Sequence, residues 1–237
     1  MGTLTLIPTP IHDPLPLEPV ALELLKRVAT DPDTLILVEE LKVARTRWIA
    51  WGLPRETIAR FQTLNEHDRD RSTTAVLKEL QSGKSAVLLS DCGLPAFCDP
   101  GQELVDACHQ QGIRVTSTPF PNSIALALAL SGFPHRRFLF AGFPPADAAG
   151  RKSELERLSR IEDTIVTLDT PYRFRALLED LSHSALKGRT LFIATALNSP
   201  EERLFRGPAS RLLEETRHLE KPEFVLLIRA RDQRSRN

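Results

Sequence analysis

The chain has 237 residues, 41% of them hydrophobic, enough to bury one large core or two smaller ones. Its 31 Lys and Arg balance 31 Asp and Glu, so the net charge is zero, and only a local basic patch can attract a polyanion. No apolar run reaches the roughly 18–20 residues of a membrane span, the N-terminus lacks the order of a signal peptide, and the six histidines stand singly, which argues against membrane, secretory and metal-dependent classes.

Residues 4–8 read as a buried strand, 19–28 as a helix after the breaks at Pro14 and Pro16, and 34–38 as a second strand. Residues 41–51 form an amphipathic helix stopped by Gly52 and Pro54, and 57–61 read as a short strand before the polar loop 65–67. A helix over 68–82, capped by Gly83, leads to a strand at 85–89, a helix at 102–111 and a strand at 113–117. This alternation predicts a mainly parallel sheet covered on both faces. Pro119 and Pro121 mark a boundary, giving an N-terminal α/β domain over 1–118 and a C-terminal α/β domain over 119–237. The second half has an almost wholly apolar helix at 124–130. Strands at 137–141, 163–169, 189–195, 203–207 and 224–229 accompany a helix at 210–218. The tail from 229 has no apolar period and reads as a solvated end.

The most informative stretch is Ser90-Asp91-Cys92-Gly93-Leu94-Pro95-Ala96-Phe97-Cys98-Asp99-Pro100-Gly101, a small-residue loop between an apolar strand and a helix. Such a loop lies at the carboxyl edge of a sheet, where open α/β folds bind ligands. Glycines allow close backbone approach, and prolines stiffen the loop. Asp99 and Pro100 also fit a helix N-cap and first turn. By contrast, Ser82-Gly83-Lys84-Ser85 imitates the end of a phosphate loop, but it runs from helix to strand and has Lys78 where that motif needs glycine. Cys92, Cys98 and Cys108 match no zinc spacing and read as reduced thiols, consistent with a cytoplasmic protein. Glu39 and Glu40 directly follow a strand, at the same sheet edge, and with Glu66 are the candidate general bases.

Five segments resemble the tetrapyrrole-methylase superfamily of S-adenosylmethionine (SAM)-dependent methyltransferases, within it the branch that methylates ribose 2′-hydroxyls of small-subunit ribosomal RNA. Ser90, Asp91, Gly93, Pro95, Asp99, Pro100 and Gly101 fall on that branch's S-D-A-G-T-P-x-x-x-D-P-G loop, with Cys92 for Ala and Leu94 for Thr. Residues 2–11 are similar to its opening strand and T-P-I turn, which includes Pro10, and Pro119-Phe120-Pro121-Asn122-Ser123 stands where it has P-G-P-S. Phe138-Leu139-Phe140-Ala141-Gly142-Phe143-Pro144-Pro145 resembles F-L-F-x-G-F-x-P, and Thr170-Pro171-Tyr172-Arg173 resembles its S-P-H-R corner. The resemblance implies two α/β domains of the tetrapyrrole-methylase type with a cofactor cleft between them, SAM as cofactor, a homodimer, and an RNA substrate. It implies cofactor contacts from Pro10, Asp91, Cys92, Gly93, Leu94, Pro95, Ser123, Ile124 and Tyr172. The branch's E-D-T-R-x-T-R and H-E-H-N-E segments survive here only as Glu39, Arg45, Asn65 and Glu66. Methylation of a tetrapyrrole-like small molecule or a protein, or SAM binding without catalysis, are the alternative readings.

Overall fold

The computed structural model describes residues 1–11, 15–64, 69–120 and 122–231. The chain forms two compact units, Met1–Asn122 and Ser123–Asn237.

The first unit is built on β1 (Thr3–Ile7), β2 (Leu35–Val38), β3 (Phe61–Thr63), β4 (Ala86–Leu89) and β5 (Arg114–Ser117), paired all parallel in the order β3-β2-β4-β1-β5. Every residue of β2 and β4 is buried, as expected of strands covered on both faces. Alternate side chains supply two cores. Ile7, Ile36, Val38, Val87 and Leu89 pack with α1 (Pro19–Thr30) and Trp48 of α2 (Leu41–Ala50). Leu4, Leu37, Ala86 and Leu88 pack with α3 (Arg69–Gln81) and α4 (Gln102–Gln110). Proline at the first position and a Glu18 carboxylate accepting from the Ala21 amide start α1. Gly2 admits no side chain, since a Cβ there would come within 1.6 Å of the Lys84 carbonyl oxygen.

The second unit holds α5 (Ser123–Ser131), β6 (Phe138–Gly142), α6 (Ala148–Ser159), β7 (Thr164–Leu168), α7 (Phe174–His183), β8 (Leu191–Thr195), β9 (Arg203–Gly207), α8 (Ala209–Glu215) and β10 (Phe224–Ile228). Its sheet runs β6-β7-β10-β8-β9, with β6 and β7 parallel and the other pairs antiparallel. Leu155 and Leu158 of α6, Phe174, Leu177, Leu178 and Leu181 of α7, and Ala209 and Leu212 of α8 build its main core. α5 lies against β10 and β8.

Three expectations need correction. Residues 57–61 are not a strand: Pro54 leads into a 3₁₀ helix at Arg55–Arg60, and β3 begins only at Phe61. The Arg60 guanidinium anchors that turn on the carbonyls of Val28, Ala29, Asp31 and Thr34. The helices α6 and α7 were not anticipated. Asp99 is not the cap of α4; that position belongs to Gly101 at φ +120°, where a Cβ would sit 2.6 Å from Leu88 Cδ2.

Candidate active site

In the first sheet the chain leaves β1 toward the α1 face and β4 toward the α4 face, so neighbouring loops diverge at the carboxyl edge. Open parallel sheets bind ligands at such a switch point. The two loops are tied by an antiparallel bridge: the Thr9 amide donates to the Gly93 carbonyl at 2.8 Å and the Gly93 amide to the Thr9 carbonyl at 3.2 Å. The Ser90 hydroxyl donates to the Gly93 carbonyl at 2.8 Å, and the Thr9 hydroxyl to the Ser90 carbonyl at 3.2 Å. From α2, Arg47 Nη1 reaches Thr9 Oγ1 at 2.9 Å and the Pro10 carbonyl at 3.1 Å.

The loop is strained as well as pinned. Ala96 and Cys98 hold φ of 62° and 65°, a region that non-glycine residues enter at a cost of roughly 1–3 kcal/mol each unless surrounding structure enforces it. Gly93 takes φ +83°, and a Cβ built there would meet Ile11 Cγ2 at 3.8 Å, an ordinary contact, so it is the backbone conformation and not a clash at Cβ that calls for glycine.

Three carboxylates gather at this edge. The Asp91 amide donates to Glu39 Oε2 at 3.1 Å, and the Glu40 amide donates to Asp91 Oδ1 at 3.2 Å. Burial pushes Asp91 up to about 6, helped by repulsion from Glu39. Asp99 rises to about 7 through burial and the charges of Glu39 and Asp91. Carboxyls tuned to the neutral range are apt both for exchanging protons with a substrate and for receiving a cation. Glu40 is occupied differently, as the N-cap of α2, accepting from the Lys42 amide at 3.1 Å.

Pro10, Asp91, Cys92, Gly93, Leu94 and Pro95 are therefore brought together with Glu39, while Glu66 lies outside the described residues. The remaining expected contacts belong to the second unit. Ser123 is the first residue of α5, Ile124 beside it is buried, and Tyr172 is 78% exposed with Lys221 Nζ 4.8 Å above its ring. The corner carrying Tyr172 is held by the buried Asp169, which accepts from the Thr170 amide at 2.7 Å and from Arg173 Nε at 2.7 Å. Arg173 also donates to the Pro144 carbonyl at 3.0 Å, and Asp169 Oδ2 and Arg173 Nη1 are buried without a hydrogen-bond partner among the described residues. Asp99 as a member of the acidic group, and Arg47 as a clamp, were missed in the sequence.

The geometry fits a small ligand carrying hydroxyls and positive charge: a loop pinned at Gly93, with room for a Cβ over that residue, and carboxylates beside it. SAM, with a ribose, an ammonium and a sulfonium, has that chemistry. Among the described residues no group of His, Cys, Asp and Glu is placed to hold a metal ion.

Comparison with known proteins agrees. The tetrapyrrole (corrin/porphyrin) methylase family matches residues 3–213. The chain is similar to the ribosomal RNA small subunit methyltransferase I of Xylella fastidiosa, 33% identical over 96% of this chain and 81% of that protein. It is likewise similar to the protein of the same name from Synechocystis, 34% identical over 96% of this chain and 79% of the relative. Among solved structures, diphthine synthase shares the fold at a TM-score of 0.69 and 13% identity, covering 97% of this chain and 90% of that one.

Proposed function

Since the chain belongs to the tetrapyrrole (corrin/porphyrin) methylase family and is a SAM-dependent methyltransferase, we propose that its methyl acceptor is a ribose 2′-hydroxyl of small-subunit ribosomal RNA. The observation that carries this reading is the likeness, at 33% and 34% identity over 96% of the chain, to two proteins named for methylating that RNA.

SAM supplies an electrophilic methyl group on sulfur, and the protein's task is positioning in a shielded site. In this reading the backbone of Gly93 and Leu94, with Pro10, Cys92 and Pro95 around them, receives the cofactor at the carboxyl edge of the first sheet. Asp91 accepts hydrogen bonds from it there. Asp99, poised at about 7 by burial and its acidic neighbours, is the carboxyl suited to take the acceptor hydroxyl's proton. Glu39 sustains that poise by its charge. Ser123, Ile124 and Tyr172 are proposed to complete the cofactor contacts from the second unit. A cytoplasmic location and a homodimeric state belong to the same reading. No helix among the described residues is long and apolar enough to cross a membrane.

The test is to incubate the purified protein with methyl-labelled SAM and cell extract, then separate RNA, protein and small molecules. Label in small-subunit ribosomal RNA, at a linkage that resists alkaline hydrolysis, is the expected result. Label confined to protein or small molecules would overturn the assignment.

A further inference from the structure

The net charge of zero conceals a strongly lopsided second unit. All five strands of its sheet have an end on one edge, as the registers Phe138 with Thr164, Ile165 with Ile228, and Leu191 with both Ile228 and Gly207 require. Among the described residues, those near these ends include the exposed Arg136, Arg137, Arg160, Lys187 and Arg231, with the exposed Arg206 one place inside the end of β9, against Glu162 and Asp163.

Two further arginines hold this edge together. Arg189 donates to the carbonyls of Arg229, Ile161 and Asp163 at 2.6, 3.0 and 3.0 Å, stitching together the segments beyond β10 and before β7. Burial, and after it the charge of the neighbouring Arg231, push Arg189 down to about 10. The guanidinium carbons of Arg206 and Arg229 sit 5.2 and 6.0 Å from the centroid of the buried Phe133 ring. Arg137, with a side chain 80% exposed, has only a 3.4 Å contact to Asp163, itself part-exposed. Beside it in sequence Phe138 is 46% exposed at the start of β6, next after Arg136 and Arg137.

A row of exposed guanidinium and ammonium groups along the sheet edge, with an accessible aromatic ring at its β6 end, matches a single-stranded nucleic acid, whose phosphates pair with the cations and whose bases stack on the ring. Arg47 and Arg173, by contrast, are already engaged within the fold, Arg47 on Thr9 and Pro10, and Arg173 on Asp169. We propose that this edge of the second sheet is a docking surface for the phosphate backbone of the substrate RNA, with Phe138 as its stacking platform. The proposal rests on the ribosomal-RNA reading and adds where the polyanion is gripped.

The test uses the full chain and a variant carrying Arg136→Ala, Arg137→Ala and Lys187→Ala. The control is a Lys152→Ala/Arg175→Ala variant, altered at exposed cations on α6 and α7. Binding of a single-stranded RNA oligonucleotide is measured as a function of salt, alongside methyl transfer to small-subunit RNA and the thermal shift given by S-adenosylhomocysteine. Each lost phosphate contact lowers the slope of log affinity against log salt by about 0.7, so the triple variant should lose about 2 in slope. Its KM for RNA should rise at least about tenfold with the thermal shift retained, while the control changes neither. If the unaltered protein binds and methylates RNA but the triple variant keeps its slope and KM, the docking surface is refuted and the substrate assignment stands. If the unaltered protein responds to S-adenosylhomocysteine yet neither binds nor methylates RNA, both fall.

Discussion

Asp99→Asn should make the protein more stable at alkaline pH, because Asp99 is a carboxyl that the fold disfavours in its charged form. Burial comes first, and the negative charges of Glu39 and Asp91 add to it. A rise from 3.8 to about 7 corresponds to about 4 kcal/mol if it acted wholly on stability. Asp99 is only part-buried, so solvent screening reduces this to about 1–2 kcal/mol. The native state binds the extra proton between about pH 4 and pH 7, so the wild type loses stability as pH rises through that window and is level above it. The asparagine variant lacks this loss. Its melting temperature should exceed that of the wild type by about 2–8 °C at pH 8.5, taking about 2–4 °C per kcal/mol for a chain of this size. The advantage should shrink to about half by pH 5.5, where the native carboxyl is mostly protonated. Thermal unfolding of both proteins across this range measures it directly. Equal melting temperatures at pH 8.5, or a gain independent of pH, would show that Asp99 is not held in the environment described. Methyl transfer by the variant should fall sharply if Asp99 takes the acceptor's proton.

Gly93→Val should abolish the rise in melting temperature given by S-adenosylhomocysteine, because a branched side chain at φ +83° is strained and would crowd the ligand side of the loop; an unchanged shift would place the cofactor elsewhere. Arg47→Met removes two hydrogen bonds from a guanidinium to Thr9 and Pro10 and should cost about 2–4 kcal/mol in urea unfolding, with weaker S-adenosylhomocysteine binding. Asp169→Ala leaves the Arg173 guanidinium, whose side chain is 23% exposed, without its carboxylate, and a loss of about 3–5 kcal/mol is expected. Asp169→Asn, which keeps an acceptor oxygen, should lose visibly less.

β2 and β4 of the first unit were legible because they are short, wholly buried apolar runs, and such parallel strands need no alternation to declare themselves, whereas the three-residue β3 offers no such run. The loop at 90–101 was legible for a related reason: small residues between a strand and a helix have few other uses. α7 carries an equally clear signal, with Phe174, Leu177, Leu178 and Leu181 on one helical face. α6 buries only Leu155 and Leu158 and offers a much weaker pattern. The acidic group could not be read from the chain. Glu39 and Asp91 become neighbours only through the register that sets Val38 beside Leu89, and Asp99 joins them because the loop bends back through left-handed residues at 96 and 98. Asp-Pro before a helix is a locally persuasive cap, and the positive-φ turn at Gly101 displaced it.

In the second unit, β10 stands in the middle of the sheet, flanked by β7 and β8, and all of its residues are buried. It is also the last strand in chain order among the described residues, which matters while the polypeptide is being made. Domains generally fold as they emerge during synthesis, the N-terminal one first. The first sheet can form once residue 117 is available, with its earliest strand already between later partners. The second cannot close until residue 228 has been added. Until then β7 and β8 present unpaired edges and half of a core, the kind of surface on which nascent chains aggregate or recruit chaperones. Late insertion of a central strand makes this half of the protein all-or-none: a nascent chain a dozen residues short of that point lacks the middle of its sheet, not its margin.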